Sequence, residues 1–454
     1  MEFISRNPFT QEILAEFDTL SHSQITDALD QADNGFADWS QKTIHQRAEV
    51  IAQVGHILSA RKKELAALVV AEMGKPILEA IAEIEKCVAC CKFYAEKSDV
   101  MLRESVVITE ASKSYVHYQP LGVILAIMPW NFPFWQVFRF ACPTMMAGNA
   151  VILKHAPNVP QCAQKIEEIF TQALCSAGAF QSLYIDTDII PDLIAQPQIK
   201  GVTLTGSGQA GAAVAAIAGK NLKKTVLELG GSDAFVVIED ADIDKAAQQA
   251  ARSRMLNNGQ SCIAAKRFIV VEEVAEEFQE KFLKALQQYR YGDPTDPNTQ
   301  YSVLSRPDLA TQLANQVQGS VDEGAHILWQ AERPTDNPCY FPPTILTQVR
   351  ADAPAYREEL FGPVATILIA ENYYEAIQMA NDTNYGLGAS LWTKNLAQAE
   401  HLAKELQAGS VFVNEIVKSD PRLPFGGIKN SGYGRELSTF GLHEFTNVQS
   451  IWIG

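Results

Sequence analysis

The residues with the most obvious capacity for chemistry are Cys262 and Glu228. Cys262 ends the run Asn257-Asn258-Gly259-Gln260-Ser261-Cys262, a polar and flexible setting, whereas a core cysteine usually has aliphatic neighbours. Glu228 lies 34 positions earlier, in Leu227-Glu228-Leu229-Gly230-Gly231. A thiolate nucleophile with a carboxylate base is the chemistry this pair could perform, making and then breaking a thioester. Pro129-Trp130-Asn131-Phe132-Pro133 adds a third group. Two prolines stiffen the backbone around Asn131, and a rigidly aimed amide suits an oxyanion hole, because the charge appears only as a carbonyl becomes tetrahedral. Each residue also has a structural reading: packing for Cys262, a capping amide for Asn131.

Val202 to Thr205 reads as a strand running into Gly206-Ser207-Gly208-Gln209-Ala210-Gly211 and then a small-residue helix, Ala212 to Lys220. Glycines at that spacing let backbone approach a pyrophosphate at a helix N-terminus, although a tight turn into an alanine-rich helix has the same pattern. Taken literally, the fingerprint assigns Glu228 to ribose hydroxyls, which competes with its use as a base. An acid at a strand end before two glycines suits either task. Cys87, Cys90 and Cys91 share one helical face with no second ligand pair, so core packing is expected and metal is not. No H-E-x-x-H occurs, and Gly230-Gly231-Ser232-Asp233-Ala234 lacks the last glycine of a serine nucleophile elbow.

These groups need elements to position them, and 454 residues exceed one core, so two or three sub-domains with a cleft between them are expected. The net charge of −16 repels polyanions, which argues against nucleic acid and anionic membranes as partners. An anionic substrate would need a local cation. Eight scattered cysteines suit a reducing compartment, and the start has no basic segment followed by an apolar one, so a cytoplasmic location is expected. Ser23 to Ser98 has apolar spacing of three and four and predicts packed helices, with Pro76 in the first turn of the last. Ser105 to Tyr118 alternates as an excursion or hairpin. Short strands then recur between helices: Val123 to Met128, Ala150 to Lys154, Leu183 to Ile185, Val202 to Thr205 and Thr225 to Leu229. A second series includes Phe268 to Val271, Ala365 to Ile369 and Ser410 to Asn414. The pattern predicts an α/β protein with two parallel-sheet units.

Together these runs resemble the NAD(P)-dependent aldehyde dehydrogenase superfamily over essentially the whole chain. The matching stretches include Glu72-Met73-Gly74-Lys75-Pro76, the Asn131 loop, Met146-Ala147-Gly148-Asn149, Leu204-Thr205-Gly206-Ser207, Glu228-Leu229-Gly230-Gly231 and Gly259-Gln260-Ser261-Cys262. Glu358-Glu359-Leu360-Phe361-Gly362-Pro363-Val364 and Pro424-Phe425-Gly426-Gly427-Ile428-Lys429 complete them. The resemblance implies a Rossmann-type cofactor domain (1–104 and 119–228), an α/β catalytic domain (229–435) and a small β oligomerisation extension (105–118 and 436–454). It implies a homodimer or homotetramer.

The same resemblance implies that Cys262 attacks an aldehyde, that Asn131 and the Cys262 N–H hold the oxyanion, and that Glu228 activates the hydrolytic water. The cofactor would meet Trp130, Lys154, Pro157, Gly206, Ser207, Glu359 and Phe361. Where many NAD-preferring relatives have Lys-Pro-x-Glu, this chain has Lys154-His155-Ala156-Pro157, which removes a repulsion against a 2′-phosphate. NADP or NAD is therefore expected as cofactor, without a metal. The nearest subgroup oxidises succinate semialdehyde. Arg139, eight residues after Asn131, and Ser419, five before Pro424, fall where that subgroup anchors the distal carboxylate. The chain departs from the subgroup at Leu256, where some members have a second arginine, and at Phe140, where many have lysine. Alternatives are a coenzyme A-acylating dehydrogenase and a non-catalytic binding protein that keeps the fold.

Overall fold

The computed structural model describes residues 3–454. Four helices come first after a hairpin of Phe3–Arg6 and Ile13–Phe17: His22–Gln41, Ile44–Ala60, Lys62–Met73 and Ile77–Met101. Local chemistry sets their ends. Ser21 with Gln24 and Thr43 with Gln46 form reciprocal capping boxes, and Gly74, left-handed at φ 80°, stops the third helix. Pro76 sits one position before the first turn of the fourth, at its N-cap. Cys87, Cys90 and Cys91 face inward from that helix and are buried, with Cys91 Sγ 3.6 Å from Cys142 Sγ, so the expectation of core packing holds.

These helices share one core with a six-stranded sheet ordered Gly432–Tyr433, Lys224–Glu228, Ile199–Thr205, Val123–Met128, Ala150–His155 and Phe180–Ser182. All neighbours are parallel except Gly432–Tyr433, which arrives from late in the chain and runs antiparallel to Lys224–Glu228. The chain builds outward on one side of Val123–Met128 and then returns to the other. The loops after Met128 and Thr205 therefore flank the point where strand order reverses, the usual crevice for ligands in such sheets. One strand differs from expectation: pairing with Val151 to Leu153 selects Phe180–Ser182 rather than Leu183 to Ile185. Leu183 still donates to the Leu153 carbonyl, but Tyr184 turns out to pack on Phe3 and Phe17.

A seven-stranded sheet is ordered His326–Gln330, Thr344–Thr347, Val364–Ala370, Arg267–Val271, Ala234–Val237, Gly388–Trp392 and Ser410–Val413, parallel but for His326–Gln330. Its central strands are apolar throughout because both faces are covered. Phe235, Val237 and Phe268 enter one core, and Ala234, Val236 and Ile269 the other. Ser105–Val106, Lys113–Pro120 and Thr446–Ile453 form a separate antiparallel sheet with Val106, Val448 and Trp452 exposed. No described helix is long and apolar enough to cross a membrane.

Candidate active site

The loop carrying Cys262 begins where the helix Ile243–Met255 ends, and its backbone is held in a costly shape. Asn257, Asn258 and Gly259 are consecutively left-handed at φ 59°, 55° and 77°. Asparagine tolerates that region better than most residues, and each side chain here is tied down. Asn257 Nδ2 donates to the Asn131 carbonyl at 2.8 Å and to the Gln260 carbonyl at 3.0 Å, while its main-chain N–H donates to Glu79 at 2.6 Å. Asn258 Nδ2 donates to the carbonyls of Gly74 and Val303, and its Oδ1 accepts from Ser302 N–H. A Cβ at Gly259 would lie 2.3 Å from the Gly362 carbonyl carbon, so only glycine fits. Strained backbone that its surroundings over-determine in this way is a mark of a functional site.

Asn131 reaches this loop from the end of Val123–Met128. It is buried, and its Nδ2 donates to the Gln260 carbonyl at 3.1 Å, leaving its second amide hydrogen without an acceptor among the described residues. The main-chain N–H of Cys262 is likewise without one. Two free donors thus stand on or against the Cys262 loop, and the Cys262 side chain keeps partial exposure. Lys266 Nζ donates to the carbonyls of Ser261 and Cys262 at 2.9 and 2.6 Å. Burial pushes the Cys262 thiol up to about 11, against the pull of Arg139 and Lys266. The resting group is a neutral thiol, so chemistry at sulfur needs a proton acceptor nearby.

Glu228 ends its strand opposite Thr205, and its carbonyl accepts from Gly206 N–H at 3.0 Å. Its carboxylate is buried, and neither oxygen has a hydrogen-bond partner among the described residues. Burial holds it well above the usual carboxylate range, with Arg139 drawing it down and Glu436 pushing it up. Its carboxylate lies against Gly426, where a Cβ would come within 2.7 Å of Oε1, and Arg139 acts on both it and Cys262.

Arg139 is buried in the helix Trp135–Met146, where its guanidinium pairs with the Glu436 carboxylate and lies 4.5 Å over the Phe425 ring. The pair is internal, with both side chains buried. The expected carboxylate anchor already has a carboxylate. Ser419 sits elsewhere in the same region: its Oγ accepts from Lys86 Nζ at 2.7 Å and from Trp135 Nε1 at 3.1 Å.

Among the expected cofactor groups, Lys154, Gly206 and Ser207 sit at strand ends of the six-stranded sheet, while Glu359 and Phe361 precede the strand Val364–Ala370 of the other. Ser207 caps the helix Gly208–Lys220 by accepting from Ala210 N–H at 3.3 Å, and the helix start is exposed. The N–H groups of that first turn fit a pyrophosphate. Gly211 serves packing, because a Cβ there would meet Leu229 at 2.5 Å. Lys154 is buried at the end of Ala150–His155, and Pro157 follows, partly exposed. His155 turns inward to the Pro133 carbonyl at 2.8 Å. Glu359 accepts from Gly231 N–H at 3.1 Å and pairs with Lys266 at 3.4 Å. Phe361 meets Trp130 edge to face, centroids 5.8 Å apart.

Three supporting residues have no role assigned from sequence, although Glu72 lies in one of the matching stretches. Glu83 accepts from Phe134 and Trp135 N–H at 2.8 and 3.0 Å and pairs with Lys75, capping the helix that follows Asn131. Glu72 accepts from Gln161 and Cys162 N–H in the same manner. Lys86 is the third. A glutamate on the apolar stripe of a helix was the available signal for the first two.

Residues 1–451 match the aldehyde dehydrogenase family. The chain is 49% identical, over 100% of both chains, to a probable succinate-semialdehyde dehydrogenase [NADP(+)] of Synechocystis sp.. It is 45% identical to the succinate semialdehyde dehydrogenase [NAD(P)+] Sad of Escherichia coli, covering 99% of this chain and 97% of that one. A solved succinic semialdehyde dehydrogenase from Streptococcus pyogenes, in complex with NADP+, superposes with a TM-score of 0.97 at 38% identity over 99% of each chain. With its two sheets, its cysteine loop and a match along the whole length, this chain belongs to the aldehyde dehydrogenase family.

Proposed function

We propose that this aldehyde dehydrogenase oxidises succinate semialdehyde to succinate, with NADP as cofactor and NAD also accepted. The observation that supports the reading is the Asn131 amide held on the Cys262 loop at the Gln260 carbonyl, together with a buried Glu228 carboxylate that has no hydrogen-bond partner among the described residues. The substrates named for the full-length relatives support the choice of aldehyde. Cys262 gives up its thiol proton to water, Sγ adds to the carbonyl carbon, and the free N–H of Cys262 with the second amide hydrogen of Asn131 takes the oxygen as it becomes an anion. Bound NADP supplies the hydride acceptor. Glu228, kept weakly acidic by burial, then takes the proton of the water that attacks the thioester, and sulfur leaves.

Gly206, Ser207, Lys154, Pro157, Glu359, Trp130 and Phe361 hold the cofactor in this reading. Pro157 places no negative charge where a 2′-phosphate would sit. The cofactor unit is 1–104 with 119–228, the catalytic unit 229–435, and 105–118 with 436–454 pairs with another copy in a homodimer or homotetramer. The exposed apolar edge at Val448 and Trp452 supports that role, and the location is cytoplasmic. The test is a panel of succinate semialdehyde, butanal and pentanal run with NADP and NAD, with and without coenzyme A. Succinate semialdehyde should lead in kcat/KM and give free acid. An equal rate on all aldehydes, or a thioester product favoured over acid when coenzyme A is added, would reject the reading.

A further inference from the structure

We propose that Lys86, together with the hydroxyl of Ser419, grips the distal carboxylate of the aldehyde, and that Arg139 does not. The inference deepens the proposed function and rests on it. Lys86 projects from the helix Ile77–Met101, Trp135 opens the helix that follows Asn131, and Ser419 lies on the loop before Pro424. Ser419 Oγ accepts two hydrogen bonds, from Lys86 Nζ at 2.7 Å and Trp135 Nε1 at 3.1 Å. Both lone pairs of that hydroxyl are then occupied, so its own hydrogen points toward some further acceptor. No described residue supplies one.

Lys86 is in the same condition. Its ammonium has three hydrogens, of which Ser419 takes one, while the Trp135 ring lies 4.2 Å away and favours a cation. No carboxylate among the described residues pairs with it. Burial, with Arg139 beside it, holds Lys86 down at about 8, as expected for a cation lacking its counter-ion. Arg139 differs at each point: Glu436 already neutralises it and Phe425 covers it. Trp135, which holds Ser419, opens the same helix that carries Arg139 and follows the Asn131 loop, whose amide bonds the Cys262 loop at Gln260. A hydroxyl and an ammonium, each with a hydrogen to donate and set side by side, match the two oxygens of a carboxylate.

The experiment compares kcat/KM for succinate semialdehyde with that for butanal in wild type, Lys86→Met and Lys86→Arg. Replacing the cation by methionine should collapse the preference for the acid-bearing aldehyde by about 10- to 100-fold, mostly through KM, as a hydrogen bond to a charged group is lost. Lys86→Arg should restore most of the preference, which general disturbance of packing would not. A Lys86→Met enzyme that keeps the wild-type ratio overturns the inference while the proposed substrate stands. Wild type without any preference for succinate semialdehyde overturns both. Should Lys86→Met fail to fold, the Lys86→Arg and Ser419→Ala ratios decide: wild-type values in Ser419→Ala together with lost preference in Lys86→Arg would also reject the paired grip.

Discussion

The cysteine loop and the region around Lys86, Trp135, Arg139 and Ser419 are built on opposite plans. In the loop the Asn257 and Asn258 amides are tied to backbone carbonyls, and the chain is forced into three successive left-handed residues. At the other site four side chains come from three distant segments, and two of them keep unused donors. Rigid placement suits a reacting atom, where a shift of 1 Å costs about 10²-fold in rate. Unmatched donors suit a place that a ligand's own charge completes. The contrast implies that reaction chemistry and substrate choice can be broken separately.

Removing the sulfur should have the largest effect. Cys262→Ala should lower kcat by about 10⁴-fold or more, as loss of a covalent nucleophile does, while NADP binding read by protein fluorescence persists. Retained turnover would put the chemistry elsewhere. Next comes the loop's geometry: Gly259→Ala must absorb a left-handed penalty of roughly 1–2 kcal/mol and displace Gly362 as well. Both melting temperature and kcat should fall, and an unaffected kcat would show that the strained shape does not serve the reaction.

Arg139→Ala sharpens the other half of the comparison. It strands the buried Glu436 carboxylate, at a cost of about 3–5 kcal/mol for a broken internal pair, which denaturant unfolding would read. The ratio of kcat/KM between succinate semialdehyde and butanal should nevertheless stay near the wild-type value in enzyme that folds. A collapsed ratio would return the anchor to Arg139. The smallest effect concerns pH. Because the folded protein keeps the Glu228 proton above the pH at which the unfolded chain releases it, this group favours folding at pH below about 4.5 and progressively less as pH rises. Glu228→Gln removes that dependence. Its melting temperature should match wild type near pH 4.5 and exceed it by a margin that grows toward pH 8; a constant difference would mean that Glu228 is already ionised in the fold.

Much of the site was legible because it is written in contiguous residues. The polar run ending at Cys262, the proline-bracketed Asn131 and the glycines after Thr205 each declare a backbone shape within six or so positions. Gly211 shows the limit: its spacing pointed to a ligand, but Leu229 packs on it. The strand at Phe180–Ser182 escaped because Leu183 to Ile185 is as apolar, and pairing register alone separates them. Lys86 escaped for a plainer reason. Between Glu85 and Cys87 on an amphipathic helix, a lysine reads as a solvated charge.

By itself the sequence determined the two parallel sheets, the loops at their strand ends and the residue types able to make and break a thioester, since periodicity and glycine or proline placement act over short distances. Tertiary structure alone decided which charge meets which. Glu436 lies 297 residues from Arg139, and Ser419 lies 333 from Lys86, so no local pattern could say that one cation is already matched and the other is not. Electrostatic and hydrogen-bond pairing depend on distance in space, and only the folded chain sets that distance.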